Sequence, residues 1–199
     1  MTSTLFTPIA TLLVRMRIPP NAVTVAGTIA VTIASLSLFP MGHLTAGSLI
    51  VGVLVLSDSI DGLMARQIHG QSPRPYGEFL DSTLDRFSDG AIFGGLTVYL
   101  TLHTSGPMQV ASVSAGLACV VLGGLVPYAR AKAQALNVVA KVGIAERADR
   151  LIAGLVAALL VGLGAPELVL IVALGLLALA SVITVFQRIV VVRRTLAKA

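Results

Sequence analysis

Apolar runs dominate this sequence, and most continue for roughly the twenty residues that a helix needs to cross a bilayer core about 30 Å thick. Breaks divide them into six. The runs cover about 21 to 39, stopping at Pro40-Met41-Gly42, and about 45 into 65. A third covers about 79 to 102, ending at His103-Thr104-Ser105-Gly106-Pro107, and a fourth about 108 to 135. The fifth covers about 149 to 163, stopping at Gly164-Ala165-Pro166, and the last runs from 168 to 192. Apolar residues make up 56% of the chain and charged ones 12%. Those values exclude a water-soluble globule, in which about a quarter of residues are charged, and equally exclude disorder. The single cysteine, Cys119, permits no internal disulfide and reads as a small buried residue of the fourth run.

Basic residues test the count, because cytoplasmic loops carry the excess of Lys and Arg. Arg15 and Arg17 precede the first run; Arg66, Arg74 and Arg86 surround the second connection; Arg130, Lys132, Lys141, Arg147 and Arg150 surround the fourth; Arg188, Arg193, Arg194 and Lys198 lie at the end. The other connections hold none of the 14. Six spans put every one of these charges on the same side, with both termini in the cytoplasm. A formal charge of +5 dispersed in so much apolar sequence suits an anionic membrane surface, not nucleic acid. Before the first run, Leu5, Phe6, Ile9, Leu12, Leu13 and Met16 recur at helical spacing ahead of Arg15 and Arg17. That pattern reads as an amphipathic helix in the membrane interface, the alternative being a disordered tail. The expected fold is an all-α integral membrane protein: one domain over 1–199, with a juxtamembrane helix at 1–20 and a six-helix bundle at 21–192.

Acidic residues carry the functional signal. Ionisable groups inside spanning segments are costly and mark candidate sites. Asp58 and Asp61 are three apart near the cytoplasmic end of span two, and Asp81 and Asp85 four apart near the start of span three. Either spacing puts a pair on one helical face. Two antiparallel neighbours joined by a short connection then bring four carboxylates to one membrane depth. Like charges so close need compensation. An all-oxygen set without His or Cys suits Mg²⁺, Mn²⁺ or Ca²⁺, and two such ions suggest displacement at phosphorus. The structural alternative is that these acids merely pair with Arg66, Arg74 and Arg86.

The residues Asp58-Ser-Ile-Asp61-Gly62-Leu-Met-Ala65-Arg66 and Gly77-Glu-Phe-Leu-Asp81-Ser-Thr-Leu-Asp85 resemble the signature of the CDP-alcohol phosphotransferase family at all eight fixed positions. The resemblance implies a six-helix, usually homodimeric membrane enzyme that transfers the phosphatidyl group of a CDP-linked lipid to an alcohol and releases CMP. It implies that Asp58, Asp61, Asp81 and Asp85 hold two Mg²⁺ ions, with Mn²⁺ as the alternative, and that Asp85 also takes the proton of the attacking hydroxyl. Gly62 and Arg66 would contact the CDP group of CDP-diacylglycerol, as would the segment Asn21-Ala22-Val23-Thr24 and, from the connecting loop, Ser72. The stretches 127–133, 142–147 and 79–91 resemble the actinobacterial phosphatidylinositol-phosphate synthases within that family, which implies myo-inositol 1-phosphate as acceptor.

A phosphorylated acceptor needs charge-assisted donors. Arg130, Lys132, Arg150 and Arg188 share the membrane face of the aspartates and are the expected acceptor-phosphate site, with Arg147 a weaker candidate. Arg193, Arg194 and Lys198 suit anionic lipid heads. Two other readings remain from sequence: a phosphatidylglycerophosphate synthase, whose acceptor also needs a basic pocket, and, from a different class, a cation transporter using the acidic cluster. Gly90 and Gly94 form a small-residue pair that packs either within one subunit or across a dimer. Asp89 extends the acidic face by one turn, toward either a ligand or a neighbouring helix.

Overall fold

The computed structural model describes residues 2–57, 59–70, 72, 74–144 and 146–197, and among them all regular structure is helical. Asp58, Ala145 and Lys198 therefore lie outside the described residues. The helices are α1 (Thr2–Arg15), α2 (Pro20–Leu38), α3 (Leu44–Ser57), α4 (Ser59–His69), α5 (Pro75–His103), α6 (Gly106–Gln134), α7 (Arg147–Gly162) and α8 (Leu168–Leu196). Their limits follow local chemistry. Proline sits in the first turn of α2, α5 and α6, where its missing N–H costs nothing. The turns after α2 and α7 use Gly42 and Gly164 at positive φ, 82° and 108°.

Four stretches are long and apolar enough to cross a bilayer: Pro20–Leu38, Leu44–Ile68, Gly106–Gln134 and Leu168–Leu196. The remaining two expected spans differ for identifiable reasons. Helix α5 carries Glu78, Asp81, Asp85, Arg86 and Asp89 in its first half, and α7 has only 16 residues. Both lie among apolar helices, α5 between α2 and α6, and α7 between α3 and α8.

The core is built from α2, α3 and α5–α8 around Phe39, Phe93, Ile92, Leu96, Leu100, Leu170 and Leu174. Close approach at small residues holds it together: a Cβ at Gly162 would stand 2.5 Å from the Thr45 amide nitrogen, which fixes the end of α7 on the start of α3. Cys119 is buried, as expected. Outward faces are apolar, with Ile33, Val53, Val121, Leu176 and Phe186 all more than half exposed. In water such a surface would aggregate; against acyl chains it is stable. Helix α1 packs on α4, with Ala10 against Ile60 and Met64. Gln67 Nε2 donates to Thr11 Oγ1 at 3.2 Å across the same contact.

Candidate active site

Two pockets open side by side along the first turns of α5. The first, of ≈ 340 Å³, lies between the start of α2, α4, the following loop and α5. Asn21 and Thr24 face it from α2. Asp61, Gly62, Ala65 and Arg66 contribute from α4, Ser72 and Arg74 from the loop, and Gly77, Glu78 and Asp81 from α5. Asp61 is 8% exposed and held in place. Thr24 Oγ1 donates to its Oδ2, and the Gly62 amide donates to Oδ1 at 2.5 Å. A Cβ at Gly62 would meet nothing within 4 Å and would project into open space at the pocket beside Asp61. Arg74 Nη2 donates to Asn21 Oδ1 at 2.8 Å and ties the loop to α2.

The segment expected to act as one unit divides. Ala22 and Val23 line a separate apolar groove with Leu13, Ala26, Gly27 and Leu54, and that groove meets the first pocket at Asp61. Helical geometry accounts for the split: positions 21 and 24 are about 60° apart around the axis, whereas 22 and 23 point elsewhere.

The second pocket, of ≈ 410 Å³, draws on four helices. Ser82, Asp85 and Arg86 come from α5, Arg130 from α6, Arg147 and Arg150 from the start of α7, and Arg188 from α8. Asp85 Oδ1 accepts from Arg147 Nη1 at 2.9 Å, and its Oδ2 from Arg86 Nη2 at 3.3 Å. Behind them Asp89, 2% exposed, accepts from Arg147 Nε at 3.0 Å and Arg150 Nη2 at 3.3 Å. Arg150 is 3% exposed, yet its Nε and Nη1 are buried with no hydrogen-bond partner. Two donor nitrogens of a buried guanidinium at the pocket wall thus remain unsatisfied, a cost that the fold carries at this point. Arg188 donates through Nε to the Val142 carbonyl at 3.0 Å and through Nη1 to the Val126 carbonyl, joining α6, α8 and the α6–α7 connection.

Of the expected acceptor residues, the structure brings together Arg130, Arg150 and Arg188 and leaves out Lys132. Lys132 lines a different, apolar groove with Leu125, Tyr128 and Arg193. On a helix, residues two apart point about 160° from each other, so Arg130 and Lys132 face different cavities, with Arg188 lining both. The expected quartet of aspartates also divides: Asp61 and Asp81 share the first pocket, Asp85 faces the second, and Asp58 lies outside the described residues. Among the described residues no three His, Cys, Asp or Glu side chains form a group able to hold a metal. Sequence reasoning gave too little weight to Arg147 and Asp89. Their partners lie about sixty positions away, and nothing local in either segment signals the contact.

A family model described as CDP-alcohol phosphatidyltransferase matches residues 17–186. The chain is 45% identical over 194 residues to the phosphatidylinositol phosphate synthase of Cutibacterium acnes, covering 94% of this chain and 91% of that one. Against the Streptomyces avermitilis protein of the same name it is 39% identical over 199 residues, with 97% and 80% covered. The solved phosphatidylinositol phosphate synthase of Mycobacterium tuberculosis with CDP-DAG bound is similar at a TM-score of 0.88 and 39% identity, over 95% of this chain and 94% of that one. A second structure of that protein, in complex with manganese and citrate, gives a TM-score of 0.87 at 40% identity, over 94% and 88%.

Proposed function

This chain belongs to the CDP-alcohol phosphatidyltransferase family, and from that premise we propose that it transfers the phosphatidyl group of CDP-diacylglycerol to myo-inositol 1-phosphate, giving phosphatidylinositol phosphate and CMP. The observation that carries the reading is the adjacency of the two pockets along α5, one edged by Asp61 and Asp81 and the other by arginines around Asp85. A pyrophosphate needs the first and a phosphorylated alcohol the second. The relatives named above agree in kind, since one was crystallised with CDP-DAG and again with manganese.

The CDP group would occupy the first pocket, contacted by Asn21, Thr24, Gly62, Arg66 and Ser72. Ala22 and Val23, in the adjoining apolar groove, suit the lipid's acyl chains, because that groove joins the pocket at Asp61. The donors fit a hard divalent cation: the carboxylates are all-oxygen, and Thr24 orients Asp61 much as a supporting shell orients a ligand. Asp58, Asp61, Asp81 and Asp85 would hold two Mg²⁺ ions, or Mn²⁺, only where the two pockets adjoin, Asp85 following Asp81 by one turn of α5. When bound, the cations supply neutralising charge to the pyrophosphate and to departing CMP. Arg130, Arg150 and Arg188 bind the acceptor's phosphate and aim its hydroxyl at the lipid-side phosphorus, and Asp85 accepts the hydroxyl proton during in-line attack.

As an integral membrane enzyme, the chain would cross the bilayer six times, through α2, the α3–α4 stretch and α5 to α8. Both termini and the site would face the cytoplasm, with α1 in the interface and a homodimer as the assembly. All the clustered charges lie toward one end of the bundle, which supports that topology. A cysteine at position 43 would then react with an impermeant reagent added outside cells, and one at 137 would not; buried Cys119 contributes no background.

Purified enzyme given CDP-diacylglycerol, Mg²⁺ and one acceptor at a time tests the activity. Phosphatidylinositol phosphate should form from inositol 1-phosphate. A product formed only from glycerol 3-phosphate would reassign the enzyme as a phosphatidylglycerophosphate synthase.

A further inference from the structure

Helices α6 and α8 run side by side in the same direction, with Cys119 donating to the Leu174 carbonyl and, further along, Arg188 to that of Val126. Toward their C-terminal ends they enclose a groove of ≈ 410 Å³. On α6 the small Ala129 and Ala133 leave its space, between the larger Leu125, Tyr128 and Leu136, and on α8 Val185, Ile189 and Val192 close the other side. Lys132 and Arg193 stand at one end, and no acidic residue lines the groove. Both side chains are exposed, and neither makes a hydrogen bond or ion pair among the described residues. From Leu125 up to Lys132 the groove is about 10 Å deep. Tyr128, more than half exposed, lies one turn below Lys132, the level at which an amphipathic ring meets lipid headgroups.

A second groove on another face of α8 provides the contrast. Ile183, Phe186, Gln187 and Val190 line it with Val142 and Ile144 from the α6–α7 connection, and it is larger, ≈ 710 Å³. No charged residue lines it. Two apolar grooves thus share one helix, and only the smaller ends in cations.

We propose that the α6–α8 groove binds one anionic glycerophospholipid, with an acyl chain along Ala129 and Ala133 and the phosphate on Lys132 and Arg193. Both helices are long and apolar enough to cross a bilayer, so the groove opens onto lipid. A basic pocket between such helices suits an anionic headgroup, and the apolar length below it suits the chain. The chain of the lipid substrate lies elsewhere: the groove beside Asp61, lined by Ala22 and Val23, shares no residue with this one. A second copy of the protein fits poorly. Paired about a two-fold axis, it would set Lys132 and Arg193 against their own equivalents, with no carboxylate in the groove to offset them. Arg188 lines both this groove and the acceptor pocket, so the bound chain packs behind the acceptor site. Occupation requires only that α6 and α8 stand in a bilayer, whatever the reaction.

The chain contains no tryptophan, so Tyr128→Trp installs a single fluorescent reporter in the groove. The protein is reconstituted in phosphatidylcholine vesicles carrying a rising share of acyl-brominated lipid, either phosphatidylglycerol or phosphatidylcholine, at fixed salt. Brominated phosphatidylglycerol should quench at an about tenfold lower share than brominated phosphatidylcholine, the scale of two basic residues at a membrane surface. Adding Lys132→Gln and Arg193→Gln should cut that preference to about twofold or less, the value also expected of Phe186→Trp in the uncharged groove. Equal quenching by both lipids at position 128, a preference that survives loss of both basic residues, or one as large at position 186 overturns the proposal. Quenching by neither lipid overturns it as well, because protein then covers the groove. Should Tyr128→Trp fail to fold, Leu125→Trp reads the same groove one turn deeper.

Discussion

The two pockets along α5 are built by different means. The first comes mostly from residues close in sequence: Asp61 to Arg66 on one helix, a short loop, then Gly77 to Asp81 on the next, with Pro20, Asn21 and Thr24 supplied from further away. The second assembles from α5, α6, α7 and α8, and apart from the neighbours Asp85 and Arg86 its ion pairs join residues some sixty positions apart. A locally encoded pocket can be read from spacing alone. One assembled from distant helices is visible in sequence only as a surplus of arginine on one side of the membrane. They also differ in charge balance: the first sets Asp61, Glu78 and Asp81 against Arg66 and Arg74, whereas the second sets five arginines against Asp85 and Glu146, as suits an anionic acceptor.

The largest effect should come from Asp85→Asn, which faces the second pocket. Turnover should fall by about 10² to 10⁴, the range for a lost general base, with CDP-diacylglycerol binding retained. Loss of CDP-lipid binding in that variant would mean that the pockets are not separable as drawn. Thr24→Val probes the first pocket through Asp61. Removing the hydroxyl should weaken Mn²⁺ binding about tenfold, measured by titration calorimetry, and leave affinity for inositol 1-phosphate unchanged. The smallest effects distinguish the faces of α6. Arg130→Ala should raise KM for the acceptor about tenfold, whereas Lys132→Ala, in the apolar groove, should shift it by about twofold or less. Equal effects would return Lys132 to the acceptor site.

Much of this was legible beforehand. The breaks at Pro40-Met41-Gly42, Gly106-Pro107 and Gly164-Ala165-Pro166 follow from proline and glycine chemistry, whereas α5 starts at Pro75, four residues before the expected 79. Facing was less so. Within Asn21 to Thr24 the segment turns through a helical arc and divides between a polar pocket and an apolar groove. Lys132 shares a membrane level with Arg130 but not a direction. Level follows from hydropathy; direction depends on which helix packs where. Asp89 illustrates the same limit: the sequence left it facing either a ligand or a neighbour, and the neighbour proved to be α7, through Arg147 and Arg150.

The most direct measurement is a crossed determination of KM for both substrates in Arg66→Ala, from the first pocket, and Arg150→Lys, from the second. The lysine keeps a charge near Asp89 but loses the forked donors. Arg66→Ala should raise KM for CDP-diacylglycerol alone, and Arg150→Lys should raise KM for inositol 1-phosphate alone. If both constants rise together in each variant, or the pattern is reversed, α5 does not divide two substrate sites and the account fails.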